Sequence, residues 1–311
     1  RNLVVCIDGT SNQFGEKNTN VVALYNQIVK SDEQLTYYNS GIGTYAKSSW
    51  KSLKYIGQVL DNKIDLAIAW NFERIVKSAY RWLTDNYREN DKIYLFGFSR
   101  GAYQVRVLAG MMYRVGLIHK GNEEQIPFAY ELYAKHDDTL SLNFKKTFSR
   151  EVKVEFVGLW DTVSSVGIVR GKSLPQTESA DHIRFFRHAL ALDERRVKFL
   201  PEYVSGNKSI GQADGQPRRA DGQPRQPDKQ PDPPHIKEVW FPGTHSDIST
   251  PLLWMSFEAV ICGLKLNPST VAWKMESLNE VKESLTGIWV LFEWIPWKRF
   301  SYNEAKGTTH R

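Results

Sequence analysis

The sequence predicts an α/β fold, a mostly parallel sheet with helices on both faces, and three observations carry that prediction. Short strand-like runs recur along the chain, at 3–7, 35–38, 93–96, 152–159 and 237–241. Helix-like stretches stand between and around them, at 18–29, 65–87, 102–115 and 182–199, and strands alternating with helices argue for a parallel sheet covered on both faces. The runs 3–7 and 93–96 are wholly apolar, as expected of buried strands.

Each element follows from its residues. The run Leu3-Val4-Val5-Cys6-Ile7 stops at Asp8-Gly9-Thr10, a turn, so it reads as a buried strand. In 18–29, Val21, Leu24, Tyr25 and Ile28 share one helical face, and Asn20 stands where an N-cap is expected. The run 35–38 leads into the glycine-bearing loop Ser40-Gly41-Ile42-Gly43-Thr44. Over 65–87, Ile68, Phe72, Ile75, Ala79 and Trp82 line one face of a long helix. The remaining strands, 93–96, 152–159 and 237–241, are separated by the predicted helices 102–115 and 182–199.

Composition sets the class. The 311 residues are 41% hydrophobic and 24% charged, as in an ordinary globular protein. We read them as a single domain over 1–311, interrupted by an insert at 205–235. That insert has Ile210 as its one large aliphatic residue and no aromatic. It repeats Ala-Asp-Gly-Gln-Pro-Arg at 213–218 and 220–225, and it cannot supply a packed core. It reads as a disordered Pro/Gly/Gln-rich surface loop.

The net charge of +6 comes from 41 basic and 35 acidic residues without a long basic run, so a nucleic-acid partner is not expected. Cys6 and Cys262 lie in apolar strings and read as small core residues, which suits a reducing compartment. No run approaches about 18 uncharged apolar residues, and no signal peptide is visible. The expected location is cytoplasmic. No metal-ligand set or cofactor motif stands out.

The sharpest chemical signal is Gly97-Phe98-Ser99-Arg100-Gly101. It lies between a predicted strand and a predicted helix, the setting that a GxSxG nucleophile elbow requires, and so the fold is expected to be α/β-hydrolase-like. The elbow glycines, Gly97 and Gly101, let strand and helix approach, and Ser99 is the candidate nucleophile. A serine needs a base, and the base needs an orienting acid. In this fold they follow in the order Ser, Asp or Glu, His. Asp161 ends the run 152–159, and His245 follows the run 237–241, each just past the carboxyl end of a strand. His188 falls within the predicted helix 182–199 and reads as a packed or capping histidine.

Asp8-Gly9-Thr10 offers two readings. Phosphotransferases with an Asp-x-Asp-Gly-Thr signature use the first aspartate, but Cys6 stands in that place here. The better reading is a loop whose Gly9 and Thr10 amides join the N–H of Arg100 in an oxyanion hole.

These strings, in their order, resemble a known family. The segments Cys6-Ile7-Asp8-Gly9-Thr10, Asn18-Thr19-Asn20-Val21, Gly97 to Ala102, Gly158-Leu159-Trp160-Asp161-Thr162-Val163, the run from Arg187 to Arg195, and Trp240 to Asp247 span residues 3–250. They resemble the α/β-hydrolase domain of the first class of type VI secretion phospholipase effectors and its uncharacterised bacterial and fungal-type relatives. The resemblance implies a Ser99–Asp161–His245 triad. It implies cleavage of a small-molecule or lipid ester, with phospholipids as one substrate class. The Trp-rich segment 288–299 could then be a membrane-facing patch, or an aromatic helix on the core or lining an acyl pocket.

In one place the chain departs from that family. After Ile248 the family continues with glycines and a longer loop, whereas Ser249-Thr250-Pro251 runs straight into Leu252-Leu253-Trp254-Met255. Proline restricts the backbone, so His245 is expected near Ser99 but imperfectly held, and activity is expected to be low. The alternative function is a catalytically impaired binding or interaction protein that keeps the hydrolase fold.

Overall fold

The structure is a computed structural model, and it describes residues 1–9, 18–40, 59–135, 137–163, 174, 177, 179–194, 201–204, 235–245, 247, 249–268, 297–298 and 308–309. The main sheet has six strands in the order β2-β1-β3-β6-β7-β8, and every pairing in it is parallel. Its strands are β1 (Asn2–Ile7), β2 (Gln34–Asn39), β3 (Lys92–Phe98), β6 (Val154–Trp160), β7 (Ile183–Ala191) and β8 (His235–Phe241). Two short antiparallel pairs lie outside it, β4 (Leu117–Ile118) with β5 (Ser149–Arg150) and β9 (Trp297–Lys298) with β10 (Thr308–Thr309).

Helices cover both faces. On one side α2 (Val59–Asn86), α3 (Arg100–Val115), α4 (Ile126–Lys135) and α5 (Asp138–Phe148) pack through residues such as Tyr80, Val105, Leu108, Tyr133 and Phe144 onto Leu3, Val5 and Leu95. On the other, α1 (Asn20–Gln27) and α6 (Ser249–Ile261) place Val21, Leu24, Leu252 and Met255 against Val4, Phe96, Phe156 and Trp160. Alternate residues of β1 therefore serve opposite cores, which is why its sequence is an unbroken apolar run. Cys6 and Cys262 are free and buried in the second of these cores.

Three sequence expectations change in detail. The segment 182–199 is not a helix: residues 183–191 are the strand β7, and 195–200 lie outside the described residues. Ile183, Phe185 and Phe186 favour a strand, and pairing with β6 and β8 on either side satisfies its backbone. The N-cap of α1 is Thr19 and not Asn20, since Thr19 Oγ1 accepts the Val22 N–H at 3.1 Å. Two helices, α4 and α5, were not anticipated. The insert 205–235, save for His235 at the start of β8, lies outside the described residues, as does the segment 288–299 apart from β9.

The winding of the sheet locates the site. From β1 the chain steps to β2 on one side, and then crosses to β3 and onward on the other. The switch point lies between β1 and β3, where Ile7 is paired with Gly97. Open α/β sheets place ligands in the crevice beyond the carboxyl ends of strands at such a point.

Candidate active site

Ser99 is the single residue between β3 and α3, and the abrupt change from strand to helix leaves it at φ 56°, ψ −123°. A non-glycine residue in that region carries on the order of 1–3 kcal/mol of strain, which must be offset by its surroundings. Here the backbone is held from both sides. Ser99 N–H donates to Trp160 O at 2.9 Å, and Ser99 O accepts the N–H groups of Ala102 at 3.1 Å and Val163 at 3.2 Å.

The elbow glycines have no room for a side chain. A Cβ on Gly101 would stand 2.4 Å from the carbonyl oxygens of Ile7 and Asp8, and one on Gly97 would stand 2.6 Å from Ala102 Cα. These neighbours are backbone and cannot rotate away. Gly101→Ala is therefore expected to push α3 off β1 and destabilise the fold by about 3 kcal/mol, at the upper end of ordinary overpacking. Urea unfolding checks this, and an unchanged midpoint would show that the elbow can relax.

The structure brings Ser99, His245 and Asp161 together from the ends of β3, β8 and β6. Ser99 Oγ lies 2.9 Å from His245 Nε2, and His245 Nδ1 is hydrogen-bonded to Asp161 Oδ2. All three are buried, with 7%, 6% and 3% of the surface of Ser99, His245 and Asp161 exposed. An ionised carboxylate only accepts, so Nδ1 carries the imidazole proton and Nε2 presents a lone pair to the serine hydroxyl. Asp161 has φ 42°, a left-handed turn that ends β6. Its other oxygen accepts the Ala191 N–H at 3.3 Å, while its own N–H donates to Ala189 O at 2.8 Å.

His245 and the described residues beside it have several partners. Its N–H donates to Glu194 Oε2 at 3.3 Å, and its ring lies 4.7 Å from that of Phe98. The loop before it is tied to Asp193, which receives the Gly243 N–H at 2.7 Å and donates its own N–H to Gly243 O at 2.9 Å. On either side of His245, Asp247 Oδ2 accepts from Thr244 N at 2.5 Å and from Thr244 Oγ1 at 3.0 Å. Asn20 Nδ2 then donates to Asp247 O at 2.9 Å. Pro251 lies in the first turn of α6, a position where its missing N–H costs nothing. Among the described residues, the positions flanking His245 thus have partners both within the loop and elsewhere in the chain.

The loop after β1 is only partly described. Asp8 is fully buried beside the elbow, and its carboxylate accepts from Gly9 N at 2.6 Å, Thr19 Oγ1 at 2.8 Å and Tyr38 OH at 3.0 Å. Burial first, then the adjacent Asp8 carboxylate, pushes the Tyr38 hydroxyl far above its usual range, so it stays a donor. The Gly9 N–H is thus engaged by Asp8, and Thr10 lies outside the described residues. Arg100 opens α3, so its N–H has no acceptor within the helix.

A shallow, half-open cleft borders Asp161 and His245 and is lined also by Trp160, Phe241 and Pro251. Ser99 is not in its lining, so it adjoins the acid–histidine side of the site rather than the hydroxyl. Among the described residues, no group of three or more His, Cys, Asp or Glu is arranged to hold a metal ion, and no helix is long and apolar enough to cross a membrane.

The family model for the catalytic domain of Tle1-like phospholipase effectors of the type VI secretion system matches residues 1–256. The uncharacterized protein YEL023C of Saccharomyces cerevisiae is 41% identical over 217 residues, covering 64% of this chain and 32% of the yeast protein. The chain therefore spans about a third of the length of that relative. Among solved structures, an uncharacterized protein from Pseudomonas aeruginosa aligns at 16% identity and a TM-score of 0.41, over 91% of this chain and 49% of that one. The Tle1 effector bound to the VgrG spike of the type 6 secretion system aligns at 17% identity and a TM-score of 0.38, over 79% of this chain and 50% of that one.

Proposed function

The chain belongs to the family of Tle1-like phospholipase effector catalytic domains, and we propose that it is a serine hydrolase that cleaves carboxylic esters of lipids, phospholipids among them. The observation that carries this reading is the Ser99 Oγ to His245 Nε2 contact of 2.9 Å, with Asp161 behind the imidazole.

The proposed chemistry uses this geometry. Ser99 Oγ attacks the ester carbonyl carbon while His245 Nε2 takes the hydroxyl proton. Asp161 keeps Nδ1 protonated and stabilises the imidazolium that forms. The tetrahedral oxyanion is met by the N–H of Arg100, whereas the Gly9 N–H is held by Asp8. The carbon–oxygen bond to the alcohol breaks, and His245 returns the proton to the departing oxygen. Water then attacks the acyl-serine, with His245 again as base, releasing the carboxylic acid and restoring Ser99.

The alternative, a binding protein that has lost turnover, drew on the shortened loop after Asp247. The bonds from Glu194 to His245, from Asp193 to Gly243 and from Asn20 to Asp247 favour the enzyme. The test is fatty-acid release from phosphatidylcholine and phosphatidylglycerol vesicles beside a soluble p-nitrophenyl ester. Release from vesicles supports the lipid reading. Turnover of the soluble ester alone would keep the hydrolase and reject the lipid substrate.

A further inference from the structure

The acid of the site is supported by a second histidine. Because Asp161 leaves β6 through a left-handed turn, the next amide, that of Thr162, is received by an imidazole rather than by a strand carbonyl. Thr162 N–H donates to His188 Nε2 at 3.1 Å. His188 is fully buried on β7, where its neighbours across the sheet are Leu159 on β6 and Glu238 on β8. Its Nδ1 lies 2.9 Å from Glu238 Oε1, and that oxygen also accepts the Val204 N–H at 3.1 Å.

This chain of bonds admits one arrangement of protons. Glu238 Oε1 accepts from Val204, and as an ionised carboxylate it also accepts from His188, so the His188 proton is on Nδ1. Nε2 is then a bare acceptor, as the Thr162 N–H requires. The opposite tautomer would set two N–H groups against each other directly behind Asp161. Such an orienting partner behind a working residue is a common means of fixing rotamer and tautomer together.

We infer that His188 and Glu238 are a positioning pair, which holds the 161–162 turn so that the Asp161 carboxylate meets His245 Nδ1. The inference rests on the hydrolase reading above and extends it to two residues that touch neither Ser99 nor His245 among the contacts described here. Both act through Asp161. A displacement of roughly 1 Å at a reacting group can cost about a hundredfold in rate, and that sets the scale of the expected loss.

The test compares His188→Leu with His188→Gln, since the glutamine carbonyl can still accept the Thr162 N–H and leucine cannot. His188→Leu is expected to lower kcat by about a hundredfold with KM within a factor of about two, and His188→Gln to recover most of kcat. Glu238→Leu, at a less buried position, frees the His188 tautomer and is expected to lower kcat about tenfold. It serves if His188→Leu does not fold. A second readout needs no turnover: the downfield proton resonance of the His245–Asp161 hydrogen bond, expected in the parent and in His188→Gln, and shifted or lost in His188→Leu. Equal kcat in the leucine and glutamine variants, or an unmoved resonance, would overturn the positioning role. A parent protein with the resonance but without esterase activity would instead overturn the hydrolase reading and leave the pairing with Asp161 intact.

Discussion

Replacing Ser99 with alanine is expected to abolish hydrolysis of both phospholipid and soluble ester while leaving the melting temperature within a degree or two of the parent. The hydroxyl faces His245 at 2.9 Å. Losing it removes the atom that, in the proposed mechanism, forms the acyl bond, and no neighbouring side chain in the described site can replace it. In a well-studied serine protease, loss of the nucleophile costs on the order of 10⁶-fold in kcat. The fold is expected to survive because alanine bears the same φ as serine and the backbone bonds to Trp160, Ala102 and Val163 do not involve the hydroxyl. A variant that keeps parental turnover would show that Ser99 is a turn residue and no more.

Asp161→Asn carries the second-largest expected effect, a fall in kcat of about 10⁴-fold, the scale seen when the buried acid of a trypsin-type triad is neutralised in the same way. Asparagine has nearly the shape of aspartate and tolerates the left-handed φ of 42°. Its carbonyl oxygen can still accept the Ala191 N–H that Asp161 Oδ1 accepts. Its NH₂ would instead face His245 Nδ1 and force the imidazole into the tautomer with the proton on Nε2. That proton would confront the Ser99 hydroxyl, and His245 could not act as base. Steady-state kinetics on a p-nitrophenyl ester, with thermal unfolding as the control, measures it. A kcat within tenfold of the parent would remove Asp161 from the catalytic account.

What the sequence revealed of this molecule depended on how local each signal was. The strand β3, the glycines of the elbow and the start of α3 stand within a dozen residues, and sterics there leave few residue choices, so Ser99 could be placed from sequence. Asp161 and His245 could be found because each lies at a strand end, in an order that the α/β architecture restricts. The strand β7 was misread because it is buried on both sides and so lacks alternation, and because it leads into Leu192, Asp193, Glu194 and Arg195, which blur the boundary with a helix. The contacts around His245 could not be seen either. Asn20, Asp193 and Glu194, which bond Asp247, Gly243 and His245, are distant in the chain, and only the fold brings them together. His188 was visible as a residue but not as a partner of Thr162, because that pairing depends on β7 lying beside β6.

The central claim is that Ser99 is an activated nucleophile, and reaction with a fluorophosphonate probe tests it without any assumption about the substrate. Such a probe phosphonylates a serine only where a base withdraws its proton and donors stabilise the tetrahedral phosphorus. The account predicts one covalent adduct per chain, mapped by peptide mass spectrometry to Ser99, formed within minutes on the folded protein and absent from Ser99→Ala. A folded protein that stays unlabelled, or one labelled at a different serine with Ser99 unmodified, would contradict it.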